Sequence, residues 1–365
     1  MDFSLNSALS VTDAIRKSNT EASGVVAMGT GSVEGTAAHR RAGRTSNRRA
    51  GRLVALALVL PVLAAACALP RPGAVPRGGA AVVASRWADG TPVFSSRDVT
   101  TWPFASTSPW NMPRGDGATF DGRQVASGGN INASNGWGVT VGGADQPWVD
   151  QAHTLAYQEG HVSIVRADGV TAEEWYQYYN LGNPNRNSSI TDLRGDGLRT
   201  NISPGTGSLH QQRASQVSQL GGLIRSADLA TGFIPHALAV ALPNGTLRSG
   251  WVWPATSQDG DAATAYTGFV PMGSLLAIPS GTPMPPGLSA AGQMIWTALR
   301  DYGAYVVDRT TPSSVLFAEA AAEGAVSPAR RDLPAIMSQV RLVTNSGPGS
   351  VGGPGNRLAP LAPPV

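Results

Sequence analysis

One histidine, His236, interrupts an otherwise apolar stretch from Ile234 to Leu242. An imidazole there must find hydrogen-bond partners or lose its hydration uncompensated. Read as a strand, the stretch puts Ile234, His236, Leu238 and Val240 on one face and Ala237, Ala239 and Ala241 on the other. Two roles follow for the ring. It is either a structural histidine pinned by a backbone carbonyl, or a general acid or base in a cleft. Arg225 can close an ion pair with Asp192 or Asp228, or neutralise the carboxylate of a sugar acid. Cleaving a glycoside by hydrolysis needs two carboxyl groups flanking one bond. The candidates are Glu173, Glu174, Asp192, Asp196, Asp228, Asp259 and Asp308, although an Asp-Gly or Asp-x-Gly context is turn chemistry first. A lyase needs a base beside the acidic sugar and a cation for the enolate-like charge, roles that His236, Tyr302 and Arg225 would fill. Trp175, Trp251 and Trp253 can stack on sugar rings or pack in the core, and Trp251 and Trp253 share strand parity.

Other chemistries lack their residues. His153, His161 and His210 have no ligand spacing to His236 and there is no Cys cluster, so no zinc site is expected. Asp259-Gly260-Asp261 opens like a calcium loop, but its twelfth position is Val270, which excludes an EF-hand. The sequence has no Walker loop, no Gly-x-Ser-x-Gly elbow and no Rossmann fingerprint, so no nucleotide or other cofactor is expected.

The elements that must hold these residues read as mainly β. We expect a single β-sandwich or jelly-roll-like domain with a few short helices. Val162–Val165 and Glu173–Tyr176 form a hairpin about the Asp168-Gly169 turn. Leu220–Arg225, Ile234–Leu242, Leu247–Trp253, Ser274–Ile278 and Ala304–Val307 read as further strands, the second and third joined at Asn244-Gly245. One helix is clear, at 289–302. Ser289 caps it, Met294, Ile295, Ala298, Leu299 and Tyr302 share a face, and Gly303 stops it. Shorter helices are predicted over Ser313–Glu323 and Leu333–Val340.

Five blocks stand in order along the chain: Asp192–Gly197, Leu220–Arg225, Ile234–Leu238, Trp251–Ala255 with Asp259-Gly260, and Asp301–Asp308. This series resembles a set of uncharacterised secreted bacterial proteins of actinomycete type, which share His-Ala-Leu, Trp-Pro-Ala and Tyr-Gly blocks. The resemblance covers about residues 100–310. It implies a single secreted domain and brings no established activity.

The N-terminal part addresses localisation. An apolar run, Leu53 to Ala66, follows Arg40, Arg41, Arg44, Arg48, Arg49 and Arg52 and precedes the only cysteine, Cys67. It is too short for a membrane span and contains Pro61, so it reads as the core of an export signal. Leu63–Cys67 resembles a bacterial lipobox, with Ala64 where a larger aliphatic residue is usual, which implies lipidation at Cys67. Simple cleavage at an Ala-x-Ala site is the alternative, giving a fully secreted protein. We divide the chain into a polar extension at 1–39, ahead of a true start at Met28 or later, a signal at 40–67 and a Pro/Gly/Ala linker at 68–92. A globular domain at 93–344 and a disordered tail at 345–365 complete it. Of 27 Lys+Arg and 24 Asp+Glu, eight and four fall in the first 52 residues, leaving 19 against 20. A body so nearly neutral has no charge for tracking a phosphate backbone, and nucleic acid is excluded as a partner.

The expected function is therefore that of an extracytoplasmic, lipid-anchored envelope protein acting on envelope or environmental polysaccharide, as a glycoside hydrolase or lyase. A non-catalytic carbohydrate-binding or structural lipoprotein is the alternative.

Overall fold

The structure is a computed structural model and describes residues 81–139, 161–166, 168–176, 187–198, 201–202 and 213–365. Cys67, the export signal, His153 and His210 lie outside them. The chain divides after Cys67, and residues 68–365 form one compact unit that contains both hydrophobic cores described below. Among its described residues this body is mainly β, with 29% strand against 17% helix, and it is a sandwich-like single domain with few short helices.

Among the described residues, ten strands make one mixed sheet. Its centre is β8 (Leu238–Pro243), which runs parallel to β12 (Ala304–Thr310) on one side and antiparallel to β13 (Ser314–Glu319) on the other. Outward from β12 lie β11 (Leu275–Ala277) and β14 (Arg341–Leu342). Outward from β13 lie β3 (Gly129–Val139), β4 (Val162–Val165), β5 (Thr171–Tyr176), β6 (Asn187–Asp192) and β7 (Asn201–Ile202). Two small pairs stand apart from it. β1 (Val82–Arg86) and β2 (Pro92–Ser96) form a hairpin, and β9 (Leu247–Trp251) runs parallel to β10 (Val270–Met272), with the short α2 (Ala262–Ala265) between them in sequence.

Alternation along the central strands feeds two cores. Leu238, Val240 and Leu242 of β8 join Ala304 and Val306 of β12 and Leu316 and Ala318 of β13 on one face. That face is closed by α3 (Ala290–Asp301), through Ile295, Trp296 and Leu299, and by the short α5 (Leu333–Met337). Burying each large side chain here stabilises by about 1.5–3 kcal/mol. The opposite face carries Ala239 and Ala241 of β8, Tyr305 of β12 and Phe317 of β13, under Trp102, Phe104, Trp110, Leu220 and Leu223. The alanines admit close approach. Gly222, at φ +72°, lies so near β8 that a Cβ there would sit 2.2 Å from the Ala239 nitrogen, and one on Gly221 would meet the Trp110 ring at 2.2 Å.

The predicted helix at 289–302 is found as α3, with the Ser289 hydroxyl accepting from the Gly292 amide and Gly303 at φ +84° beyond its end. The hairpin about Asp168-Gly169 is present as β4–β5. Four expectations need correction. Ser313–Glu323 is not a helix: its first half is β13, because Val315, Leu316 and Phe317 are held between β8 and β3, and only Glu323–Val326 (α4) is α-helical. Leu220–Arg225 is a turn-rich segment with a single bridge, Ile224 to Ala318, since the two glycines bend it over Trp110. β9 stops at Trp251, after Gly250 at φ +99°, so strand parity does not extend to Trp253. The terminal regions are also more ordered than expected. β1 falls inside the supposed 68–92 linker, and residues 345–365 pack on the body, with Ala359 and Ala362 buried and the Pro363 carbonyl accepting from Arg97 Nε at 2.7 Å.

Candidate functional site

The central polar cluster is built where the 213–225 segment enters a short helix, α1 (Ser226–Thr231). Arg225 precedes it, and the Arg225 amide donates to Asp228 Oδ2 at 2.9 Å. The same oxygen lies 3.1 Å from His236 Nε2, while His236 Nδ1 lies 2.9 Å from the Ala237 carbonyl. His236 stands in a bend just before β8, because Pro235 has no N–H to give a sheet and the Ala237 amide is taken by the Trp110 carbonyl at 2.7 Å. Arg225 Nη2 donates to the Leu220 carbonyl at 3.3 Å. Glu319 closes the cluster at the end of β13, accepting from the Ser226 amide at 2.7 Å and its hydroxyl at 2.5 Å. Burial pulls the Arg225 guanidinium below its ordinary value, against the opposing pull of Glu319 and Asp228. His236 is 5% exposed, Arg225 2%, Asp228 5% and Glu319 6%. His236 and the Arg225 amide thus meet at Asp228, and the cluster is sealed from solvent.

The other nominated residues lie apart from that cluster. Asp192 ends β6 as a turn residue, its Oδ1 accepting from the Arg194 amide at 2.8 Å, with half its side chain in solvent. Tyr302 is buried against Phe233, and its hydroxyl faces the Pro360 carbonyl at 3.5 Å. Burial and the Asp301 charge raise the Tyr302 phenol well above its ordinary value, which opposes a role as base at neutral pH. Asp308 on β12 lies 3.8 Å from the buried Arg213. Asp259 and Asp261 both face Arg309, at 3.0 and 2.6 Å, so the calcium-like motif is an ion-pair node. Among the described residues, no group of three or more His, Cys, Asp or Glu side chains is placed to hold a metal. Trp175 is half-buried on β5. Trp253 is half-buried edge-on to Tyr305, and Trp251 is 51% exposed.

Sequence reasoning missed the importance of Glu174 within its set of seven carboxyls. In β5 it shares a face with Ala172, and both are fully buried. Its Oε1 accepts from the Thr191 and Ser218 hydroxyls, each at 2.5 Å, and Oε2 from the Gln219 amide at 2.7 Å. Gln219 continues the network, Oε1 facing His161 Nδ1 at 2.9 Å and Nε2 donating to Ser163 Oγ at 2.7 Å. Burial raises the Glu174 carboxyl above the usual range, outweighing its three hydrogen bonds and the Arg213 charge. The available signal was parity, since Glu174 alternates with Ala172 where Glu173 alternates with Thr171.

A cleft of about 430 Å³ opens elsewhere, where β8 ends and β3 and β13 begin. It is lined by Gln124, Ser127, Gly128, Thr246, Pro312 and Ser313 among others, and by none of the nominated residues. Comparison with known proteins adds no identity: no family model, no curated protein and no solved structure matches the chain. The sealed clusters can fix the chain's path and hold protons, whereas contact with anything outside the protein is open to exposed groups such as Trp251.

Proposed function

We propose that this protein is an exported, lipid-anchored envelope domain that binds polysaccharide without cleaving it, with Trp251 as the stacking face. The observation that carries this reading is the contrast in exposure: Trp251 is 51% accessible, while His236 and Arg225 are 5% and 2%. A flat indole in solvent can cover a sugar ring, and a buried imidazole cannot reach a glycosidic bond. Trp251 also sits on fixed backbone. The Gly250 amide donates to Gln258 Oε1 at 2.7 Å and the Val252 amide to the Met272 carbonyl at 2.9 Å. Val252, at 41% exposure, extends the apolar surface, and the Ser249 and Gln258 side chains supply hydrogen-bonding groups nearby.

The hydrolase or lyase reading draws on one observation, the meeting of His236 with Asp228 and Arg225. A single experiment separates the two. The purified 68–365 unit is incubated with a panel of envelope and environmental polysaccharides, and retention on polymer, reducing ends and the ultraviolet absorbance of unsaturated sugars are read together. Retention that Trp251→Ala lowers at least about tenfold, with no cleavage, is the expected outcome; loss of one stacked aromatic is worth roughly that much. Cleavage products that vanish in His236→Ala would establish the enzyme instead. For the anchor, Cys67→Ser should release the protein into the medium, and undiminished membrane retention would contradict lipidation.

A further inference from the structure

We propose that the β1–β2 hairpin is a membrane-docking surface that lays the domain against anionic lipid. This inference rests on the reading of the chain as membrane-tethered, and adds to it a contact made by the folded body itself.

β1 is exposed along its whole length. Val82 and Val83 are 54% and 40% accessible, and Trp87, at the turn into β2, is 41% accessible. The pairing with β2 slips between Val82 and Val83 and again before Ser85, so strict alternation of faces is broken there. The turn itself is firmly made: the Trp87 amide donates to the Thr91 carbonyl and the Gly90 amide to the Trp87 carbonyl, both at 2.9 Å. Trp87 is therefore presented to solvent from an ordered backbone.

Charge selects the occupant. Between Cys67 and the turn the sequence holds Arg71, Arg77 and Arg86 and no acid. The first carboxylate is Asp89, which accepts from the Thr91 amide at 2.9 Å and stays charged, while Arg86 Nη1 donates to the Gly90 carbonyl at 2.6 Å, so the stretch from Cys67 through the turn carries three cations against one anion. An indole with aliphatic neighbours and arginines is the composition that settles at a lipid–water interface and is drawn to anionic headgroups. Geometry supplies the third argument. Residues 68–80 are all that separates Cys67 from the hairpin, and thirteen residues reach at most about 45 Å when fully extended. A lipid on Cys67 would thus keep the hairpin within about 45 Å of the headgroups.

The test uses the 68–365 unit, which lacks the acylated residue, with sedimenting vesicles of phosphatidylglycerol or of phosphatidylcholine at low and high salt. The proposal expects partition onto phosphatidylglycerol that weakens with salt and falls about fivefold in Arg86→Gln. It expects a loss of at least tenfold in the triple variant Val82→Ser, Val83→Ser, Trp87→Ser, whose exposed positions leave the far-ultraviolet circular dichroism unchanged. Trp251→Ala should leave vesicle binding intact, so a failure of polysaccharide binding and a failure of lipid docking are read on separate variants. Equal partition onto both lipids, or no response to the triple variant, would overturn the proposal. Self-association abolished by Trp87→Ser would also overturn it, in favour of a second copy of the chain.

Discussion

At His236 each ring nitrogen faces an oxygen, Asp228 Oδ2 on one side and the Ala237 carbonyl on the other. Removing the ring leaves a buried carboxylate without that partner, so His236→Ala should lower unfolding stability by about 2–4 kcal/mol in urea titrations. Under the binding account it should leave polymer retention at its wild-type level once the folded fraction is equalised. A loss of retention by the folded variant would assign His236 to the binding face. Glu174 gives a prediction with a sign. Its folded carboxyl titrates above the ordinary value of 4.5, so between the two values the native state holds the extra proton. The stability it contributes is complete below about pH 4.5 and declines as pH rises through the folded value. Glu174→Gln should flatten that decline in a melting series, and an unaltered slope would assign it to other groups. At this scale the sequence was half informative. The sequence offered Asp228 as an ion-pair partner of Arg225, whereas the contact described is made by the Arg225 backbone amide, and a structural His236 beside a carbonyl was one of that ring's two roles. Burial was not legible, because it is set by segments far apart in sequence, such as Glu319 closing over Ser226.

Among the elements, α3 was readable because its signals are local: a serine cap, a repeating apolar face and a glycine stop. Ser289→Ala removes a bond to the Gly292 amide and another to Asp332 Oδ2, and should cost about 1–2 kcal/mol in the same titrations. β13 misled because its alanine-rich continuation favours a helix by propensity, while the decisive term is pairing with β8 and β3, which no local pattern carries. The same non-local logic made Gly221-Gly222 a turn against Trp110. Gly222→Ala should therefore cost about 3 kcal/mol or more, since both the positive φ and the approach to Ala239 are violated. A stability change below about 1 kcal/mol would show that the segment can move away from β8.

For the whole molecule, composition and turn spacing were enough to place the body as mainly β. They were not enough to place its ends, since Gly and Pro content says where chain bends and not whether it is held. The C-terminal segment is held by particular bonds. Arg97 donates to the Trp102, Pro103 and Pro363 carbonyls, and Arg357 donates to those of Pro113 and Val351. Truncation after Thr344 should accordingly lower the melting temperature of the 68–365 unit by several degrees, whereas a dispensable tail would leave it unchanged. A body held together in this way is what the proposed binding function requires. The measurement that bears on it most directly is the polysaccharide panel read for retention and cleavage at once. The account predicts polymer held by the wild-type protein, released by Trp251→Ala, and chemically intact in both. Shortened or unsaturated polymer formed by the wild type and absent with His236→Ala would contradict it.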